Sequence, residues 1–128
     1  MGECCGGEII TVLIVEDNSS VRRLLRQAVN EIADEIWECG DGTEALPAYA
    51  AHRPDVVLMD IRMPSMDGLA AIKRILASDP SARIVMVTDY DDDDLRSAAQ
   101  AAGACAYVVK LDLSGLAHLV CTIARAKR

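Results

Sequence analysis

The chain has 128 residues, 52 % of them apolar, and a formal net charge of −7. That length suggests one domain able to bury a core, and the apolar content excludes a disordered chain. The acidic balance argues against a free-standing nucleic-acid binder, and no apolar run approaches the ~18–20 residues of a membrane span.

The first eight residues, "MGECCGGE", are expected to form a flexible tail ahead of a domain over 9–128. They lack the basic start and long apolar middle of a secretory signal. Gly6 stands where a myristoylation motif beginning at Gly2 needs Ser or Thr. A cytoplasmic protein is therefore expected. "IITVLIV" (9–15) reads as a short apolar strand. Val21, Leu24, Leu25, Ala28, Val29 and Ile32 then recur at helical spacing, with Asn18 or Ser19 as N-cap. "EIWEC" (35–39) is a weaker strand, and "DGTEALPAYAAH" a helix capped by Asp41 and kinked at Pro47. "DVVLMD" (55–60) is the third strand, and Leu69, Ile72, Ile75 and Leu76 resume the helical spacing. "RIVMVT" (83–88) is the fourth strand, and "DDDLRSAAQAAG" an acid-led helix closed by Gly103. "CAYVVK" (105–110) is the fifth strand, before a last helix carrying Leu113, Leu116, Val120 and Ile123. Continuous Val/Ile/Leu strands separated by helical crossovers predict an α/β fold, a (βα)5 parallel sheet covered on both faces.

In such open sheets, sites form beyond the carboxyl ends of the strands. The first strand ends on Glu16 and Asp17, the third on Asp60, the fourth on Thr88 and the fifth on Lys110. Three carboxylates held together repel one another, and an oxygen-seeking Mg²⁺ relieves that repulsion. Lys110 supplies a further positive charge, so the loaded site is close to neutral and can stabilise an incoming phosphoryl group. Asp60 is the candidate nucleophile, since aspartyl phosphates are established covalent intermediates. Glu16 and Asp17, as adjacent acids, are better placed to grip a hydrated ion, and the Thr88 hydroxyl can donate to a phosphoryl oxygen.

The stretches "VLIVEDN", "VVLMDIRMPSMDG", "IVMVTDY" and "GACAYVVK" resemble the receiver (response regulator) domains of bacterial two-component signalling over about residues 9–127. The resemblance implies a flavodoxin-like fold with strand order 2-1-3-4-5. It implies Asp60 as phosphoacceptor, and Asp17 and the Arg62 backbone carbonyl as ligands of Mg²⁺ (or Mn²⁺). Glu16 would be a ligand through water, and Thr88 and Lys110 would contact the phosphoryl group. Tyr107 matches the aromatic that turns inward as Thr88 moves, although it also fits a half-buried strand residue. The implied donor is a phosphohistidine on a sensor histidine kinase or phosphotransfer protein, with small acyl phosphates able to substitute. The implied partner is an output domain or protein on the face of the fourth helix, fifth strand and last helix. A phosphorylation-dependent homodimer is also implied, with no direct contact to nucleic acid or membrane. Pro64 and Gly68 then shape the turn that presents the Arg62 carbonyl and launches the next helix, with Asp67 near its start.

The sequence departs from the family in places. Leu111 follows Lys110 where many receivers have proline; a cis bond there would cost roughly 2.5–4 kcal/mol, so trans is expected, or a strained exception. That tail resembles the NarL-like receivers, which usually continue into a helix-turn-helix output domain, so a stand-alone receiver or one cut from a longer protein is expected. Asp89 follows Thr88 where the family usually has a small residue; it is expected either to slow loading from small anionic donors or to point to solvent. Arg62 and Tyr90 flank the site as modulators of attack by water.

Other signals point to simpler roles. "DYDDDD" (89–94) imitates a calcium loop, but its sixth position is Asp94 and its twelfth Gln100, so an acidic helix start is the better account. His52 and His118 are expected on the surface or in packing, and Trp37 in the core or at an edge. The odd cysteine count and irregular spacing favour reduced thiols, with Cys39, Cys105 and Cys121 packed in apolar segments. A Mg²⁺-dependent phosphatase with an aspartyl nucleophile would place an acid two residues after Asp60, where Arg62 stands. A phosphorylation-independent pseudo-receiver would be expected to lack one of the five strand-end residues, and none is missing.

Overall fold

The computed structural model describes residues 9–61 and 67–127. Strands and helices alternate as β1 (Thr11–Val15), α1 (Ser19–Val29), β2 (Glu35–Cys39), α2 (Ala45–His52), β3 (Val56–Asp60), α3 (Gly68–Ser78), β4 (Ile84–Thr88), α4 (Asp93–Ala102), β5 (Ala106–Val109) and α5 (Leu116–Lys127). All strands pair in parallel, in the order β2-β1-β3-β4-β5. This is the flavodoxin-like doubly wound sheet expected from the sequence. Residues 1–8, Arg62 and Pro64, of which the sequence raised expectations, lie outside the described residues.

Strand side chains alternate between the two faces of the sheet, so each central strand feeds two cores. Leu13, Val15, Val57, Met59, Ile84 and Met86 pack beneath α2, α3 and α4 with Tyr49, Ile72, Ile75 and Ala99. Val12, Ile14, Val56, Leu58, Val85 and Val87 pack beneath α1 and α5 with Leu25, Val29, Leu116 and Val120. β3 and β4 are buried along their whole length, which explains their unbroken apolar sequences. β5, at the edge, is only half-buried.

Helix ends follow local chemistry. Asn18 caps α1 by accepting from the Ser20 and Val21 amides, and Asp67 caps α3 through the Ala70 amide. Gly103 closes α4 at φ 109°, a left-handed conformation that glycine adopts without cost.

Some expectations are corrected. α2 starts only at Ala45, after a 3₁₀ turn over Gly42–Glu44. Pro47 therefore sits in the first turn of α2, where its missing N–H has no intrahelical partner to lose, and the mid-helix kink gives way to that preceding turn. Asp41 does not cap the backbone; its carboxylate accepts from the Thr43 hydroxyl. Cys39 and Cys105 are free thiols, but Cys105 is exposed rather than packed. Trp37 stacks on His52 with ring centroids 4.2 Å apart, closing the β2 edge. Among the described residues, no helix is long and apolar enough to cross a membrane.

Candidate functional site

The register of the sheet assembles the acidic cluster. Ile14 of β1 lies opposite Leu58 of β3, so two residues on, Glu16 and Asp60 end neighbouring strands side by side. Both continue the strand parity that faces α1 and α5, as does Lys110 one residue beyond β5. β1 ends at Val15, and the chain bends at Asp17 before Asn18 caps α1. Asp17 is thereby turned outward while Glu16 stays inside.

The result is a pocket of about 270 Å³ lined by Glu16, Asp17, Asp60, Thr88, Asp89, Tyr90 and Lys110, among others. Glu16, Asp17 and Asp60 each offer a carboxylate oxygen, all within 4.8 Å of one another, a cluster able to hold a metal ion. Glu16 and Thr88 are each 1 % exposed and Asp60 6 %. The Lys110 ammonium bridges the buried acids, 2.8 Å from Glu16 Oε1 and 3.2 Å from Asp60 Oδ1. Glu16 Oε2 accepts from the Asn18 amide at 3.2 Å.

Electrostatics follow from burial. Loss of water pushes the Glu16 carboxyl well above its ordinary value, and the Asp60 charge adds to this against the pull of Lys110. Burial alone would lower Lys110, but Glu16 and Asp60 outweigh it and hold the ammonium above its ordinary value. With every carboxyl ionised, three carboxylates against one ammonium leave the cluster formally two charges negative. Hard oxygen donors and excess negative charge fit a divalent cation such as Mg²⁺ or Mn²⁺.

Around the acids lie the remaining residues singled out from the sequence. The Thr88 hydroxyl accepts from the Tyr90 amide at 3.3 Å, and the Tyr107 hydroxyl donates to the Tyr90 carbonyl at 2.6 Å. Thr88 and Tyr107 are thus tied to the same loop residue. Tyr107 is half-buried, with the Arg96 guanidinium 4.4 Å over its ring. Asp89 is exposed and lines the pocket. The Lys110 amide donates to the Thr88 carbonyl at 2.7 Å, and the described residues contain no cis peptide, so Lys110–Leu111 is trans. Arg62 lies outside the described residues.

Sequence reasoning placed Gly68 in a turn without its packing role, and it missed Arg22. The Gly68 amide donates to the Ile61 carbonyl at 2.7 Å, and a Cβ on Gly68 would run into the Asp60 carbonyl oxygen, with Asp60 C at 2.9 Å and Ile61 Cα at 3.0 Å. The expected turn glycine is therefore also a close-packing glycine between α3 and the end of β3. Arg22 donates to the Glu16 carbonyl at 2.7 Å; its only sequence signal was a basic residue on the polar side of α1.

Residues 12–120 match the family model described as response regulator receiver domain. The transcriptional regulatory protein PdtaR of Mycobacterium tuberculosis is 44 % identical over 100 residues, covering 77 % of this chain and 48 % of that protein. The chain thus spans about half the length of that curated relative. A crystal structure of a two-component response regulator of the LuxR family from Aurantimonas superposes with TM-score 0.86 at 28 % identity, covering 94 % of this chain and 89 % of the other. The signal receiver domain of NarL from Mycobacterium tuberculosis gives TM-score 0.86 at 26 % identity over 92 % and 98 % of the two chains.

Proposed function

The chain belongs to the response regulator receiver domains of two-component signalling, and from that premise we propose that it is a switch thrown by phosphorylation of Asp60. The observation that carries this is the Lys110 ammonium held between Glu16 and Asp60 at the floor of an open pocket, with three carboxylates converging beside it. In the proposed step, a carboxylate oxygen of Asp60 attacks the phosphorus of a phosphohistidine on a sensor kinase or phosphotransfer protein. The P–O bond forms as the P–N bond breaks, and the imidazole nitrogen leaves with the electron pair and takes up a proton.

Glu16 and Asp17 would hold Mg²⁺ or Mn²⁺ with Asp60, together with the Arg62 carbonyl that the family resemblance adds. When bound, the cation offsets the carboxylate charges and draws charge from the phosphoryl oxygens. Lys110 leaves its ion pairs to meet the new negative charge, and Thr88 turns its hydroxyl from the Tyr90 amide to a phosphoryl oxygen. Because Tyr107 is anchored to the same Tyr90, the movement of Thr88 passes to the α4–β5–α5 face, where an output domain, a partner protein or a second copy would sense it. Hydrolysis of the aspartyl phosphate by the domain itself resets the switch, with Arg62 and Tyr90 tuning access of water. Residues 9–128 form the receiver unit, acting in the cytoplasm without direct contact to nucleic acid, alone or as part of a longer regulator.

The test is intact mass after incubation with acetyl phosphate, with and without Mg²⁺, beside Asp60→Asn. One Mg²⁺-dependent phosphoryl group, absent from the variant, is expected. No gain by a protein that still binds Mg²⁺ would overturn the switch in favour of a binding module that works without phosphorylation.

A further inference from the structure

Arg22 reaches back from α1 over the loop that carries two of the three carboxylates. Its Nη1 donates to the Glu16 carbonyl at 2.7 Å and lies 3.4 Å from the Asp17 carbonyl, while its Nε donates to Glu38 Oε1 at 3.2 Å. Glu38, on β2, is gripped on its other oxygen by Arg26 Nε at 2.6 Å. Arg26, then Arg22, hold the Glu38 carboxyl below its ordinary value, keeping it charged. The Glu16 amide still bonds to the Cys39 carbonyl at 3.0 Å, but β1 has ended and the chain is turning. At that turn the Glu16 and Asp17 carbonyls are met by the fixed fork of a guanidinium.

We propose that Arg22 is a positioning residue for the acidic site: braced by Glu38, it fixes the backbone of Glu16 and Asp17 so that their carboxylates converge with Asp60 for a divalent cation. This rests on the assignment of that cluster as the Mg²⁺ site of the switch. Arg22 itself never touches the cation or the phosphoryl group. Its charge separates positioning from simple electrostatics. Removing a nearby positive charge eases the approach of a cation, so electrostatics alone predicts tighter binding in Arg22→Ala, whereas loss of positioning predicts weaker binding.

The test measures metal affinity directly, by the free Mn²⁺ spin-resonance signal and by Mg²⁺ competition, on wild type, Arg22→Ala, Arg22→Lys and Glu38→Gln. Partners one layer behind a metal ligand typically contribute 10–100-fold to affinity, so Arg22→Ala is expected to weaken binding by about 10-fold. Arg22→Lys, with the charge but not the fork, should recover part of that loss, and Glu38→Gln should fall between. Thermal midpoints are recorded alongside, since a purely structural role would lower them without changing the affinity of the folded protein. Arg22→Ala binding as tightly as wild type, or more tightly, overturns the proposal. Should that variant not fold, unchanged affinity in both Arg22→Lys and Glu38→Gln overturns it equally. Wild type that binds metal but takes no phosphoryl group would overturn the switch and leave the positioning role to stand on the affinities; wild type that binds no metal overturns both.

Discussion

Gly68→Ala is the substitution that most directly probes the seam between α3 and the acidic strand end. The added methyl would collide with the Asp60 carbonyl oxygen and press on Asp60 C at 2.9 Å and Ile61 Cα at 3.0 Å, all backbone atoms with no rotamer to change. Restoring an ordinary carbon contact of ~3.5 Å needs a retreat of the helix on the order of 1 Å. That retreat also stretches the bond from the Gly68 amide to the Ile61 carbonyl, now 2.7 Å. Overpacking of a dense region costs about 1–3 kcal/mol, and the upper end is expected with backbone on both sides. With a urea m-value near 2 kcal/mol/M, a loss of about 3 kcal/mol lowers the denaturation midpoint by roughly 1.5 M. The same displacement carries Asp60 out of line, and a misplacement of about 1 Å can cost on the order of 100-fold in rate. Urea melts followed by circular dichroism and a mass-spectrometric time course with acetyl phosphate measure the two effects. Gly115→Ala is the control, because a methyl there would meet no atom within 4 Å. A Gly68→Ala protein with the midpoint and loading rate of the control would refute the close-packing account.

Asp92 caps α4 through the Asp94 and Leu95 amides at 2.8 and 3.2 Å; Asp92→Ala should cost about 1 kcal/mol in urea melts. Asp79 is held down to about 2 by hydrogen bonds from Ser81 and then from the Tyr49 hydroxyl. Its folded value lies below the unfolded one, so its contribution is present above about pH 4 and fades as pH falls toward 2. Tyr49→Phe should shrink that acid-side loss, and denaturation midpoints between pH 5 and 2 measure it. Asp89→Ala removes one carboxylate from the pocket rim; at about 1 kcal/mol for a solvated contact, loading from acetyl phosphate should accelerate roughly fivefold. An unchanged rate would mean that Asp89 addresses only solvent.

Much of this architecture is legible in the sequence because burial on both faces leaves a strong mark. β3 and β4 read as unbroken apolar runs, and the residue that ends each run, Asp60 or Thr88, stands where doubly wound sheets open. The caps Asn18 and Gly103 were legible for a local reason, since each answers a backbone need, whereas Asp67 was placed near the start of its helix without its capping role. What was hidden depends on contacts between distant segments. No pattern announces that Arg22 will span from Glu38 to the Glu16 carbonyl, 16 and 6 residues away. Nor does any show that Tyr107 will reach Tyr90 across 17 residues. Pro47 misled because helix propensity does not say where a 3₁₀ turn ends and the α-helix begins. Gly68 was visible as a turn residue, but its steric role depends on how closely α3 approaches the end of β3.

The sheet order divides the acidic site into parts of unequal firmness. β1 and β3 are interior strands, each bonded on both sides, and they end in Glu16 and Asp60; β5 has one neighbour, four residues and half-buried side chains, and it carries Tyr107 and leads into Lys110. In amide exchange, β1, β3 and β4 should open only with the whole molecule, whereas β5 should exchange through cheaper local openings. The anvil of the site is then built into the most protected hydrogen-bond ladder of the protein, and the hammer hangs from an edge strand.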